Sequence, residues 1–518
     1  MTEWDIVFRG GRVIDPESGL DAIGDVAISG GRVTAVTTGV TTAGTRPGTA
    51  SVPGRGRVEV DVSGQVVTAG FVDIHSHCYD TGSLRLQALD GVTTALELES
   101  GVAPVALAYR NAGAEGRPVN YGFATSWAMA RMDVLAGIPL DGSVRTFFAY
   151  SARPEWQRAA SPVERQRILG RLEADLADGA LGIGILAGYV PTADPAEYLE
   201  VAALASRSNA PTYTHSRDLI EFRPETLIDG AEEIVRAAGE TGAHMHYCHV
   251  NSTTLRHADR VLALVERAQR EGSRITTEAY PYGAGMTGIG AAFLAPERLP
   301  ERDLRPQDLI YAPTGEQVAD VARLAELRAA DPGGLVIIRH LDESIASDRD
   351  LLMRYLLFPG SVVASDAMPL THTEKGAFTH PRTAGTFSRA IRMLTRDGGT
   401  PGGGTPDGGP DGGPLSLARA LAKCSLEPAR LLEPHVPAMR RKGRITAGAD
   451  ADVVVFDPAT ISDQATYEAS TRPSRGIRHV LVNGTFVVRD ERLVETTRPG
   501  RPVRARRSLR FRYDDEHS

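Results

Sequence analysis

The sequence predicts an α/β protein: a (β/α)8 TIM-like barrel carrying a small β-sandwich domain built from both chain ends. Three observations lead there. Eight apolar runs alternate with helical patterns through the middle of the chain, the signature of βα units and a parallel sheet. Short β runs with Gly and Asn turns occupy both ends, as in WDIVFRGGRVIDPESG and GIRHVLVNGTFVV. Single histidines or carboxylates stand at the ends of separate apolar runs, where such a barrel assembles its site.

The elements follow in order. Residues 1–63 are the N-terminal part of the sandwich, 64–435 the barrel, and 436–518 the C-terminal part of the sandwich with a tail. Barrel strands are expected at VVTAGFVDIH, TTALELE, NYGFATS, LGIGILAG, APTYTHS, HMHYCHV, RITTEAYPY and VVASDAM. Two excursions interrupt them. A lid-like insertion covers about 283–334, ahead of VIIRH, and so long a loop in a barrel is more often a binding element than a spacer. The Gly/Pro-rich segment 396–414 cannot bury a core and is expected as a surface loop. The tail from Arg501, basic then acidic, is expected as a solvated terminus.

Composition narrows the function classes. At 518 residues, 42% hydrophobic and 24% charged, the chain can bury a sizeable core. A formal net charge of −8 gives no electrostatic footprint for nucleic acid. MTEWDIVFRGGRV has no charged segment leading into an apolar one, and no run is long enough to span a membrane, so the expected location is cytoplasmic. Cys78, Cys248 and Cys424 are widely spaced, which predicts reduced thiols. The expected partner is a small-molecule substrate, with neither nucleic acid nor membrane; homo-oligomerisation stays open.

The candidate site begins with His75 and His77, two apart at the end of a strand-like run and projecting from one side. Two imidazoles aimed at one point suit a divalent metal, zinc above all. Further strand ends carry Glu97 and Glu99, His215, His249, Tyr280 with Tyr282, and Asp366. In LELE the leucines and glutamates alternate; with Leu96 and Leu98 packed outward, Glu97 and Glu99 face the interior, Glu99 nearer the mouth. The alternative has both glutamates buried and paired without touching metal. A divalent metal in such a constellation can polarise a substrate oxygen and lower the pKa of bound water from about 16 to about 7. Asp366 is a further candidate ligand or base at the last strand end. Tyr280, Tyr282, Arg217 and Arg382 are candidates to fix substrate or oxyanion, with His340 and His372 behind them. His244 and His246 lie on a strand body and are not expected to be ligands.

The segments GFVDIHSH, GALGIGILAGY, THSRD, TEAYPY, ASDAMPL, HPRTAGTFSRAIR and KGRITAGADADVVVFDP resemble the amidohydrolase superfamily, and within it the N-acyl-D-amino-acid deacylases, or D-aminoacylases. The resemblance covers nearly the whole chain. It implies one or two zinc ions and hydrolysis of the linear C–N amide bond of an N-acyl amino acid or a related small acylated amine or hydrazide. It also implies His75 and His77 at one metal position, His215 and His249 at the other, and Asp366 as the catalytic acid and base.

Two departures from that pattern matter. Where the family has a bridging Cys, this chain reads LELESG, and an ungapped match puts Ser100 in its place, so the bridge is Glu99, Glu97 or Ser100. A carboxylated lysine, used elsewhere in the superfamily, has no source in the strands: Lys375, Lys423 and Lys442 all follow the eighth. Second, the family's lysine for the substrate carboxylate is replaced by Asn251. Either Arg217 or Arg382 supplies the cation, or common N-acetyl-D-amino acids are poor substrates; the second is the expectation. Cyclic-amide hydrolysis, deamination or decarboxylation on the same metal scaffold, and a metal-free homologue, are the remaining readings.

Overall fold

The computed structural model describes residues 3–38, 51–373, 376–397 and 413–506. Each of the eight expected runs contributes a strand: Phe71–Asp73, Val92–Val102, Asn120–Ser126, Ile183–Leu186, Thr212–His215, Met245–Tyr247, Ile275–Ala279 and Ser361–Val363. They pair in parallel, each with the next. The barrel closes between its first and last strands. There the His77 N–H donates to the Ala367 carbonyl at 2.8 Å, and the buried Asp73 carboxylate accepts the Ser365 N–H at 3.0 Å and the Ser365 hydroxyl.

Helices bridge the strands where local chemistry starts and stops them. Asp229 caps Gly230–Thr241 by accepting from the N–H groups of Ala231 and Glu232, and Gly242 ends that helix in the left-handed conformation, a backbone state glycine enters without penalty.

The first expected strand is really two. Val66–Ala69 belongs to the end-built sheet and Phe71–Asp73 opens the barrel, with Gly70 between them. A Cβ at Gly70 would lie 2.2 Å from the Thr93 side chain, so only glycine permits this approach. Through Val66–Ala69 the chain ends meet: it runs parallel to the Glu3–Asp15 strand and antiparallel to Val453–Phe456. Among the described residues the resulting sheet has nine strands, with Phe8, Val26, Val67, Val453, Val455 and Leu481 in its core.

Inside the barrel, Val72, Ile74, Leu96, Leu98, Leu181, Tyr213 and Val362 pack together, sealed at the N-terminal end by Leu432, Met439, Val503 and Ala505. Truncating Leu96 or Leu98 to Ala in so dense a layer costs about 2–5 kcal/mol. Val503 and Ala505 correct the expectation of a solvated tail from Arg501. Val503 donates to the Tyr121 carbonyl at 2.7 Å and Ala505 to that of Gly179 at 3.2 Å, while the Arg504 guanidinium lies 3.9 Å over the Tyr109 ring. The alternation of small apolar residues with arginines in RPVRAR is a strand period, masked by the charge.

The insertion after strand seven folds as an antiparallel sheet in which Leu335–Arg339 pairs with both Ala284–Gly288 and Leu309–Tyr311. VIIRH therefore lies inside it, not beyond it. Ala284, Met286, Ile310 and Ile337 pack with Met368, fastening the insertion to the segment after strand eight. The Gly/Pro-rich loop falls largely on residues 398–412, outside the described residues.

Candidate metal and catalytic centre

Strand two breaks its own alternation to build the site. Leu96 and Leu98 face the barrel interior, and Glu97 turns the other way, toward Ala95, Val102, Ala108, Tyr121 and Phe123. This reverses the orientation expected from LELE. Regular alternation would carry Glu99 outward as well, but the pairing with strand three jumps from Glu97↔Phe123 to Val102↔Thr125. Five steps on one strand span two on the other, so the residues between form a bulge. Gly101, at φ 61°, is part of it. The bulge swings Glu99 to the mouth.

There Glu99 touches four histidines. Its Oε1 lies 3.0 Å from His215 Nδ1 and 2.6 Å from His249 Nε2; its Oε2 lies 3.3 Å from His75 Nε2 and 3.5 Å from His77 Nε2. Asp366 Oδ1 is 3.5 Å from the Nε2 of both His75 and His77. Behind these rings, Nδ1 of His77 meets Glu97 at 2.7 Å and Nδ1 of His75 meets Glu278. Glu97, still in register with Phe123 ahead of the bulge, thus sits behind His77 rather than among the converging atoms.

The donor set fits a divalent cation. With Nδ1 of His75 and His77 donating to carboxylates, each Nε2 presents a lone pair, and the two Nε2 atoms stand 3.2 Å apart facing the oxygens of Glu99 and Asp366. Acceptors facing acceptors in a buried site require positive charge among them. Groups of three ligand atoms within 4.8 Å of one another occur at His75–His77–Glu99, His75–His249–Asp366 and Glu99–His215–His249. Burial disfavours the imidazolium of His75, but the same carboxylates, Glu278, Glu99 and Asp366, outweigh that cost and hold this ring well above its ordinary pKa, so its Nε2 lone pair is open only where another cation displaces the proton. Burial instead keeps His215 below its ordinary value, the Glu99 contact offsetting only part; a neutral ring is the ligating form.

Asp366 closes the site from the segment just after strand eight. Its Oδ2 accepts from Arg382 Nη2 at 2.9 Å, and the guanidinium lies 4.8 Å over the Tyr280 ring. Burial pushes the Asp366 carboxyl up, but Arg382 and the histidines outweigh it and hold it below its usual value, in the base form. Asp366 and His249 both have positive φ, 50° and 29°. Such conformations are sparsely populated by residues with a side chain and concentrate at functional sites.

Of the expected substrate contacts, Tyr280 lines the cavity over the cluster. The others do not. Arg217 is committed to Glu233 at 2.7 Å and to the carbonyls of Val190 and Pro191. Asn251 donates to the Tyr280 carbonyl at 3.4 Å. The Tyr282 hydroxyl points to Asp463, beneath Arg389, and Arg382 holds Asp366 from behind. Each is a buried polar group engaged by a neighbouring element, which strand-end position alone does not reveal. His340 lines the cavity, together with Phe147, Tyr189, Met286, Phe293 and Arg302, none of which sequence reasoning named. They arrive on helices and on the insertion, where no strand-end rule applies. Glu278 was missed too, although TEAYPY places it inside strand seven. Cys78, Cys248 and Cys424 are free, and burial raises the Cys248 thiol well above its ordinary value.

Histidines and carboxylates gathered at the C-terminal mouth of a (β/α)8 barrel define a metal-binding barrel enzyme. The chain belongs to the amidohydrolase family, whose sequence model matches residues 58–488. It is 28% identical to the D-aminoacylase of Alcaligenes xylosoxydans xylosoxydans over 516 residues, covering 94% of this chain and 95% of that one. It is 27% identical to the N-acyl-D-glutamate deacylase of the same organism over 529 residues, 98% and 97% of the two chains. The fold matches that of N-acyl-D-glutamate deacylase from Bordetella bronchiseptica, solved with zinc and a phosphonate inhibitor, at a TM-score of 0.71 and 23% identity over 97% of this chain and 100% of the other. No helix among the described residues is long and apolar enough to cross a membrane.

Proposed function

We propose that the protein is a zinc-dependent hydrolase of the linear amide bond of an N-acyl amino acid. The observation that carries this reading is Glu99 in contact with all four histidines, with Asp366 facing the same atoms. His75 and His77 would hold one ion, His215 and His249 another, and Glu99 both. A bound divalent metal polarises an amide carbonyl and acidifies water.

The chain's own residues supply the rest. Asp366, kept ionised by Arg382, accepts a proton from the attacking water at Oδ1, the oxygen turned toward the histidines. The same oxygen returns the proton to the departing nitrogen, which leaves only when protonated. Arg382 fixes the carboxylate through Oδ2, so proton transfer needs no reorientation. Phe147, Tyr189 and Phe293 supply apolar walls that exclude water and strengthen these interactions.

Substrate choice follows from charge. Arg302 is the cation lining the cavity among the described residues. It shares Asp218 with Arg298, which Glu301 also engages, and its own buried Nε has no partner. The substrate carboxylate is bound there, and Asn251, turned away from the cavity, takes no part. Arg302→Met is expected to raise KM for N-acyl amino acids by about 10- to 100-fold, the loss of one charged hydrogen bond, with kcat changed far less. Steady-state kinetics check this; an unchanged KM places the carboxylate elsewhere. The function itself is tested by comparing N-acyl-D- and N-acyl-L-amino acids with cyclic imides: turnover of cyclic imides alone would reject it.

A further inference from the structure

One carboxylate ties the two halves of the cluster together. Glu278, on strand seven, is 1% exposed, and its oxygens serve three histidines. Oε1 meets His75 Nδ1 and accepts the His249 backbone N–H at 3.1 Å; Oε2 meets His246 Nε2 at 3.0 Å. His75 belongs to one proposed ligand pair and His249 to the other. We propose that Glu278 is a positioning residue shared by both pairs, setting the separation of the two metal positions, with His246 as its anchor. This rests on the metal-dependent reading above.

The chemistry supports the assignment at each contact. A carboxylate at His75 Nδ1 places the proton there, fixes the ring, and leaves Nε2 free to ligate. At His249 the same carboxylate accepts the N–H of a residue in left-handed backbone, at φ 29°, so it opposes relaxation of a conformation that aims the ring at Glu99. His246 in turn is held from its other nitrogen, Nδ1 lying 2.8 Å from Thr276 Oγ1, which also meets His244 Nε2 at 3.0 Å. Glu278 is therefore fixed to the barrel wall. Glu97 differs: it meets His77 alone, and its Oε1 has no partner. His246, set aside as a ligand because it lies on the strand body, gains a role from that position.

The test measures zinc binding to the parent, Glu278→Gln and His246→Asn by equilibrium dialysis against buffered zinc, with the melting temperature of each metal-free protein. Glutamine keeps the shape but turns an N–H2 group toward groups that themselves donate. Glu278→Gln is expected to bind zinc about 10- to 100-fold more weakly at both positions, and added zinc to restore part of its activity. His246→Asn, which leaves Glu278 in place, is expected to weaken binding roughly three- to tenfold. A purely structural role would lower the metal-free melting temperature and leave zinc affinity of the folded protein unchanged. Folded Glu278→Gln with affinity within twofold of the parent overturns the proposal; should that variant not fold, the same result for His246→Asn does so. A parent that takes up no metal overturns the metal-dependent reading itself, and this proposal with it.

Discussion

Glu99→Gln is expected to abolish hydrolysis, by about 10³-fold or more, and to strip at least one metal ion. Glutamine occupies the same volume, so the barrel stays folded. Its amide nitrogen, however, directs hydrogens at either the His215–His249 pair or the His75–His77 pair, where an anionic oxygen had faced each. Glu99 is held well below its ordinary pKa because His75 and His249 outweigh the cost of its burial, so the position favours the carboxylate over a neutral group. Elemental analysis after dialysis gives the answer. Unchanged stoichiometry would move the bridging role to another group, Ser100 being nearest in sequence.

Asp366→Asn is expected to separate chemistry from binding. Turnover should fall by about 10²- to 10⁴-fold, the range for losing a positioned acid and base, while most of the metal and the fold remain. Arg382, fully buried with Nε and Nη1 already unpartnered, loses its one ionic partner. The variant should therefore also melt lower, because an uncompensated buried cation is strongly destabilising. A kcat within about tenfold of the parent would assign the proton transfers to a different residue.

Much of this protein is legible in its sequence. Eight strand-like runs, with histidines and an aspartate at their ends, report the barrel and its mouth because a parallel strand is short, apolar and ends at the site. Both chain ends show their shared sheet for a similar reason, since Val66–Ala69 and Val453–Phe456 are plain β-branched and aromatic runs. What stayed hidden depends on departures from regularity. The bulge before Val102 brings Glu99 to the mouth, where the sequence expected it, but leaves Glu97 behind His77 and the leucines inside, which period-two reasoning on LELE has no means of seeing. Likewise Arg217 and Asn251 stand beside strand ends as substrate residues would, yet Glu233 and the Tyr280 carbonyl engage them. The cavity walls come from Phe147 on a helix between strands three and four and from Phe293 and Arg302 on the insertion, whose placement is decided by tertiary packing.

The central claim is that Glu99 and its four histidines hold a metal on which amide hydrolysis depends. Metal content measured alongside hydrolysis of N-acyl amino acids, before and after chelation and after zinc is returned, tests it most directly. One or two equivalents of zinc per chain, activity lost with the metal and recovered on its return, is the predicted result; full hydrolytic activity in protein shown to be metal-free would contradict it.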